Sequence, residues 1–146
     1  MDFEGTGVEL LSRQECLALL GQTPIGRVVI SERALPAAFP VHFGLLGDDV
    51  VFRTASGGRL ASAVQDAVVA FEADEMDYVD GWGWSVLVQG RASLLTDPLE
   101  IDDAELLALQ PHVPGKAGHF VRIPSRVISG RRLRVPVAPA LADVRY

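Results

Sequence analysis

Between residues 25 and 95 the chain is a succession of short segments rich in valine, isoleucine, leucine and phenylalanine, parted by glycine, proline and aspartate. They read "GRVVI" (26–30), "AFPVHFGLL" (38–46), "VVFRT" (50–54), "AVVAFEAD" (67–74) and "SVLVQGRASLL" (85–95). β-Branched and aromatic side chains lose rotamer freedom in a helix and pack well on a pleated surface, so these segments are predicted strands. Gly47-Asp48-Asp49 supplies a turn between the second and third, which predicts a hairpin. Pro40 lacks a ladder N–H and marks an edge or a bulge. "GHFVRI" (118–123) and "SRVISGRRLRV" (125–135) are two late strands. Many short strands with only short helices between them predict a mainly β chain folded as a small antiparallel barrel, in one domain over 1–146.

Three stretches carry helix signals. In "LSRQECLALLG", Ser12 is an N-cap and Glu15 completes a capping box, so a helix is predicted over about 12–20, stopped by Gly21. Leu11 and Cys16 form the expected hydrophobic staple, and Leu17 and Leu20 the expected buried face. "GGRLASAVQ" (57–65) reads as a short helix, with Leu60 and Val64 four apart. "DPLEIDDAELLALQ" (97–110) reads as a late helix ended by Pro111. The tail "PVAPALADVRY" (136–146) reads as irregular.

A net charge of −6 argues against general nucleic-acid or membrane-surface binding, since both need a basic face. The single cysteine, Cys16, cannot close an internal disulfide and reads as a buried helix residue; no Cys/His cluster suggests a metal. The acidic start "MDFEGTGVELL" does not resemble a signal peptide, and no apolar run reaches membrane-span length, so a cytoplasmic location is the expectation.

Within this framework "VVFRTASGGRL" (50–60) stands out. Two arginines, a threonine and two glycines gather where a strand hands over to a helix. Glycines let an anion approach the backbone, unpaired N–H groups point outward at the helix start, and guanidinium forks match phosphate oxygens. Arg53, Thr54 and Arg59 therefore describe either a phosphate cradle or a hairpin corner with solvated arginines. The Walker pattern is absent, which argues against a P-loop NTPase.

"GWGWSVLVQGRA" (81–92) places two tryptophans before a strand. Val86 and Val88 share one face, and Ser85, Gln89 and Arg91 share the other. Aromatic faces beside polar donors suit a flat heteroaromatic ring. Trp82 reads as packing, and Trp84 is open between packing and ring contact. His42 is the candidate proton donor, because imidazole exchanges protons near neutral pH; the competing reading is a structural histidine. His112 and His119 carry no evident role. The run "FEADEMDYVDG" (71–81) reads as a solvated acidic loop, and Arg131 and Arg132 receive no role.

In this order, the capped helix, "GRVVI", "FPVHF", "VVFRTASGGRL", "VVAFEAD" and "GWSVLVQGRA" resemble the pyridoxamine 5′-phosphate oxidase-like family, in its short bacterial, nitroimidazole-reductase-like branch. The resemblance covers about residues 10–97, with an echo at "ISGRRL". It implies a six-stranded split β-barrel that binds FMN, assembled as a homodimer with cofactor sites at the interface. It implies that Phe39, Pro40, Val41, His42 and Phe43 run along the flavin ring. Arg53, Thr54 and Arg59 would hold ribityl and phosphate groups, and Trp84 and Ser85 would lie near the flavin. The implied activity is FMN-dependent oxidation or reduction of a small organic molecule. The sequence departs from the vitamin-processing members: Ala38 and Leu60 stand where they carry arginine and lysine, and their C-terminal motif has no counterpart. These departures argue against pyridoxamine phosphate oxidation itself and leave a second reading, a non-catalytic protein binding flavin, a deazaflavin or haem.

Overall fold

A computed structural model describes residues 3–4, 8–55, 57–111 and 117–134; Ser56, His112 and the tail 136–146 lie outside the described residues. In chain order the strands are β1 (Phe3–Glu4), β2 (Val8–Leu10), β3 (Ile25–Glu32), β4 (Leu35–Leu46), β5 (Asp49–Ala55), β6 (Val68–Asp77), β7 (Trp82–Arg91), β8 (Ser93–Leu94), β9 (Ala117–Ile123) and β10 (Val127–Arg134). The helices are α1 (Arg13–Leu20), α2 (Arg59–Ala63) and α3 (Pro98–Glu105). No helix among the described residues is long and apolar enough to cross a membrane.

The strands hydrogen-bond in the order β1-β2-β10-β7-β6-β3-β4-β5-β9-β8. β8 follows β7 after the single residue Ala92, so the β8 end of this order is tied by continuous chain back to β7, the fourth strand in it. The chain thereby folds back on the sheet and curls it into a barrel, with β1 and β8 as its edge strands. The barrel is the one expected, with more strands than six: β1 and β2 were not predicted, and β8 separates from β7. β2 pairs with β10 through Leu10↔Arg131 and Glu9↔Arg132, a partner that no local pattern at the N-terminus announces.

The core sits inside the barrel. Val28, Ile30, Phe52, Phe71, Val86, Val88 and Ile123 are almost wholly buried. Cys16 and Leu20 of α1, Leu60 of α2 and Val64 just after it pack into the same cluster. The buried pair on α1 is thus Cys16 and Leu20, with Leu17 half-buried. The capping box forms as expected: Glu15 N–H donates to Ser12 Oγ at 3.2 Å, and Ser12 N–H donates to Glu15 Oε1 at 3.0 Å. A second, smaller cluster of Val51, Leu95, Ala104, Leu109 and Phe120 lies outside the barrel beneath α3. β5 is therefore buried on both faces, which explains its unbroken "VVF".

Three local expectations need correction. The acidic run is not a loop: β6 extends to Asp77, because its outward residues pair across the sheet and leave only Tyr78–Gly81 as the turn. α3 ends at Glu105, well before Pro111, because Ala108 takes a left-handed conformation (φ 52°) that ends helical bonding. β3 and β4 form an unpredicted hairpin whose two turn residues, Arg33 and Ala34, are both left-handed (φ 51° and 63°). Neither is the glycine or asparagine such a turn prefers, so the sequence gives no signal. The β4–β5 hairpin is as predicted, with Gly47 at φ 60° between Leu46 and Asp49.

Candidate functional site

β4 is shared between two parts of the barrel. From Leu35 to His42 it pairs with β3, and from Phe43 to Leu46 it pairs with β5. Beyond Phe52, β5 continues along β9 instead, with an irregular register between Arg53 and Ala55. The two strands therefore part at Phe43 and Phe52. Residues 39–42 form one lip of the resulting gap, and residues 53–55 form the other. Pro40 falls in the stretch of β4 that pairs with β3 alone, where a missing N–H costs the ladder least.

Alternation decides what each side chain can reach. Val41 and Phe43 point into the barrel and are 2% and 3% exposed, so only their backbone meets the gap. Phe39 is half-buried, with the Arg59 guanidinium 5.7 Å from its ring centroid. Pro40 is exposed, and His42 is half-buried on the outer side. Thr54 is buried and its hydroxyl donates to the His119 carbonyl at 3.2 Å. Together with Gly57, Gly58, Ser62, Gln65, Leu94 and His119, Thr54 lines a cleft of about 240 Å³.

The two arginines do not converge. Arg53 shares the outer face of β5 with Val51. Its guanidinium lies 4.5 Å from the Phe120 ring centroid, donates twice to the Glu105 carboxylate at 3.3 Å, and donates from Nε to the Gly118 carbonyl at 3.3 Å. Arg59 is more exposed and donates from Nε to Glu32 at 2.8 Å. Neither lines the cleft at Thr54. Trp84 points inward and is 7% exposed, whereas Ser85 lies half-buried on the outer face, in register with Asp74 on one side and Arg131 on the other. In the strand order β7 stands three places from β4, so Ser85 lies roughly 14 Å from the β4 lip at about 4.8 Å per strand. The structure thus brings Phe39 and Arg59 together and sets Thr54 in a cleft with Gly57 and Gly58, while His42 lines a different cleft with Leu107 and Leu109. It separates Arg53, Trp84 and Ser85 from them.

Sequence reasoning passed over three features. His119 shares the inward side of β9 with Val121 and Ile123; alternation within "GHFVRI" could have placed it beside Thr54. Gln110 N–H donates to His42 Nδ1 at 3.0 Å, a contact between residues 68 apart that carries no local signal. On the outer face Arg27 Nη1 donates to both Glu72 Oε1 (2.9 Å) and Asp74 Oδ2 (3.1 Å). One guanidinium here serves two carboxylates. Burial, then the hydrogen bond that protonated Glu72 donates to Asp74 and the charge of Asp74, push the Glu72 carboxyl up to about 7, against the opposing pull of Arg27.

A family model described as pyridoxamine 5′-phosphate oxidase matches residues 12–132. Among curated proteins, the uncharacterised protein Rv0080 of Mycobacterium tuberculosis is 34% identical over 128 residues, spanning 84% of each chain. Among solved structures, the FAD binding protein of Mycobacterium smegmatis is 37% identical with a TM-score of 0.76, covering 86% of this chain and 98% of that one. A conserved protein of unknown function from Corynebacterium diphtheriae, DIP1874, is 33% identical with a TM-score of 0.69, covering 85% and 96%.

Proposed function

The chain belongs to the pyridoxamine 5′-phosphate oxidase-like family, and from that premise we propose that it is a flavin-dependent oxidoreductase acting on a small organic acceptor. The observation that carries this reading is the gap where β4 and β5 part, edged by backbone on one lip and by Thr54, the glycine pair and Arg59 on the other. A planar ring fits along residues 39–42, and a phosphate fits at the corner of residues 54–59. FMN and FAD share the ring, the ribityl chain and the first phosphate, so one site serves either. FMN is the minimal form we propose, and the likeness to an FAD binding protein supports the flavin class.

Arg59 suits the phosphate. Its pair with Glu32 is exposed, and exposed pairs hold no more than about 1 kcal/mol, so a dianion can displace the carboxylate. Arg53 suits it less, because turning inward would cost its Glu105, Gly118 and Phe120 contacts together. We assign Arg53 to holding α3 against β5. Gly57, with nothing near the place of a side chain, lets an anion approach the backbone of this corner, while the Gly58 N–H is held by the Ala55 carbonyl at 3.3 Å. A bound flavin supplies hydride acceptance and onward transfer. The protein fixes the ring along β4 and neutralises the phosphate. We propose further that a second copy brings Ser85 to the ring, since one protomer holds Ser85 and the β4 lip too far apart. The outer sheet face between them, with Val29, Ala38, Ala70 and Leu87, is the surface for that contact.

The test is titration of purified protein with FMN, FAD, a deazaflavin cofactor and haem, followed by turnover of reduced nicotinamide with a quinone or nitroaromatic acceptor. Saturable flavin binding with turnover supports the proposal. Binding without turnover leaves a carrier, and no flavin binding refutes it.

A further inference from the structure

A second cleft, of about 460 Å³, opens where the C-terminal end of α1, the middle of β4 and the chain following α3 meet. It shares no lining residue with the cleft at Thr54. Its volume falls within the range of about 300–1,000 Å³ typical of small-molecule sites. Leu20, Phe43, Leu45, Leu107 and Leu109 give it apolar walls. Ligand sites of this kind combine such walls with a few placed polar groups that set orientation.

Gln22, Thr23 and His42 are the polar side chains of the lining, and His42 is the one whose proton position is fixed. Its Nδ1 accepts the Gln110 N–H at 3.0 Å, which puts the proton of the neutral ring on Nε2. Nε2–H then has no protein acceptor among the described residues. A donor of fixed tautomer therefore stands at the wall of a cleft whose leucine and phenylalanine side is apolar. No carboxylate lines the cleft among the described residues, so an ammonium group finds no counter-charged side chain there.

We propose that this cleft binds an apolar molecule bearing a carbonyl or carboxylate oxygen, which accepts a hydrogen bond from His42 Nε2–H. The chain after α3 forms one wall of the site, held to β4 through Gln110 and through Leu107, whose Cδ1 approaches Gly44 closely. This site stands beside the gap proposed for flavin and does not require flavin to form.

The experiment is an amide NMR titration of the full chain with octanoate, octanamide and octylamine. Octanoate and octanamide are expected to shift the Gly21, Gly44 and Gln110 amides to saturation, with octylamine at least tenfold weaker. His42→Phe keeps an apolar wall without the donor and is expected to weaken octanoate at least tenfold. Leu107→Trp, at the rim, fills the cleft and is expected to weaken all three probes. Circular dichroism checks that both variants fold. Should octylamine bind as well as octanoate, should His42→Phe change nothing, or should no probe shift these amides, the proposal is overturned. Flavin fluorescence on the same samples separates the two readings. Flavin-free protein that binds octanoate counts against the flavin site alone, and flavin-loaded protein that ignores octanoate counts against this cleft alone.

Discussion

Replacing Glu72 by glutamine tests the charge arrangement on the outer sheet face. Arg27 faces two carboxylates at 2.9 and 3.1 Å, which leaves one negative charge in excess on a half-buried surface. The fold therefore favours protonated Glu72, whose carboxyl rises from 4.5 to about 7. In the unfolded chain the group keeps its ordinary value. Below pH 4.5 both states hold the proton, and Glu72 costs nothing. Between 4.5 and about 7 the unfolded chain releases it while the folded chain retains it, so stability falls as pH rises through this window. Above about 7 the loss is complete. At full strength that displacement corresponds to about 3 kcal/mol. The side chain is 31% exposed, and solvent screening reduces the expectation to about 1–2 kcal/mol. Glu72→Gln removes the titration and leaves Arg27 paired with Asp74. Urea unfolding, followed by tryptophan fluorescence at pH 4.5, 6 and 8, should show the variant matching the parent at the lowest pH. It should exceed the parent by about 1–2 kcal/mol at the highest. A constant difference across the three pH values would refute the reasoning.

The separate placements of the two arginines give a paired prediction. Arg59→Ala should weaken flavin binding at least tenfold, on the order of 1.5–3 kcal/mol for a lost charge-assisted contact, read by fluorescence titration. Arg53→Ala should change flavin affinity less than about twofold and lower unfolding free energy by about 1–2 kcal/mol, since it removes the Phe120 and Glu105 contacts. Ala34→Gly should raise stability by about 1 kcal/mol, because alanine at φ 63° carries the left-handed penalty; an unchanged or lower melting temperature would contradict the turn geometry. Gly130→Ala should destabilise by about 1–3 kcal/mol, as its Cβ would stand 2.5 Å from Cys16 Sγ, and Cys16→Ala should recover part of that loss in the double variant.

Local signals carried the strands and α1 well. Ser12 and Glu15 close a hydrogen-bonded loop within four residues, and the apolar runs of β3 to β7 declare themselves by composition. What misled was context. The acidic residues of β6 look like loop only until β3 supplies Arg27 across the sheet. The late helix looks longer than it is, because Leu106 and Leu107 continue an apolar pattern that the left-handed Ala108 breaks. For the candidate site, "VVFRTASGGRL" correctly set a threonine and glycines at a strand end. Yet alternation sent Arg53 to the opposite face of β5 from Thr54.

By itself the sequence determined the class of fold, the family, the capped first helix and the handover from β5 to α2, since each depends on residues within a few positions of one another. Only the tertiary structure decided that Arg53 holds α3, that His42 is held by Gln110, that Ser85 stands three strands from the β4 lip, and that Glu72 competes with Asp74 for one arginine. These are contacts between segments far apart in the chain. Strand order and register create them, and no window of sequence contains the partner whose charge or proton sets what each side chain does.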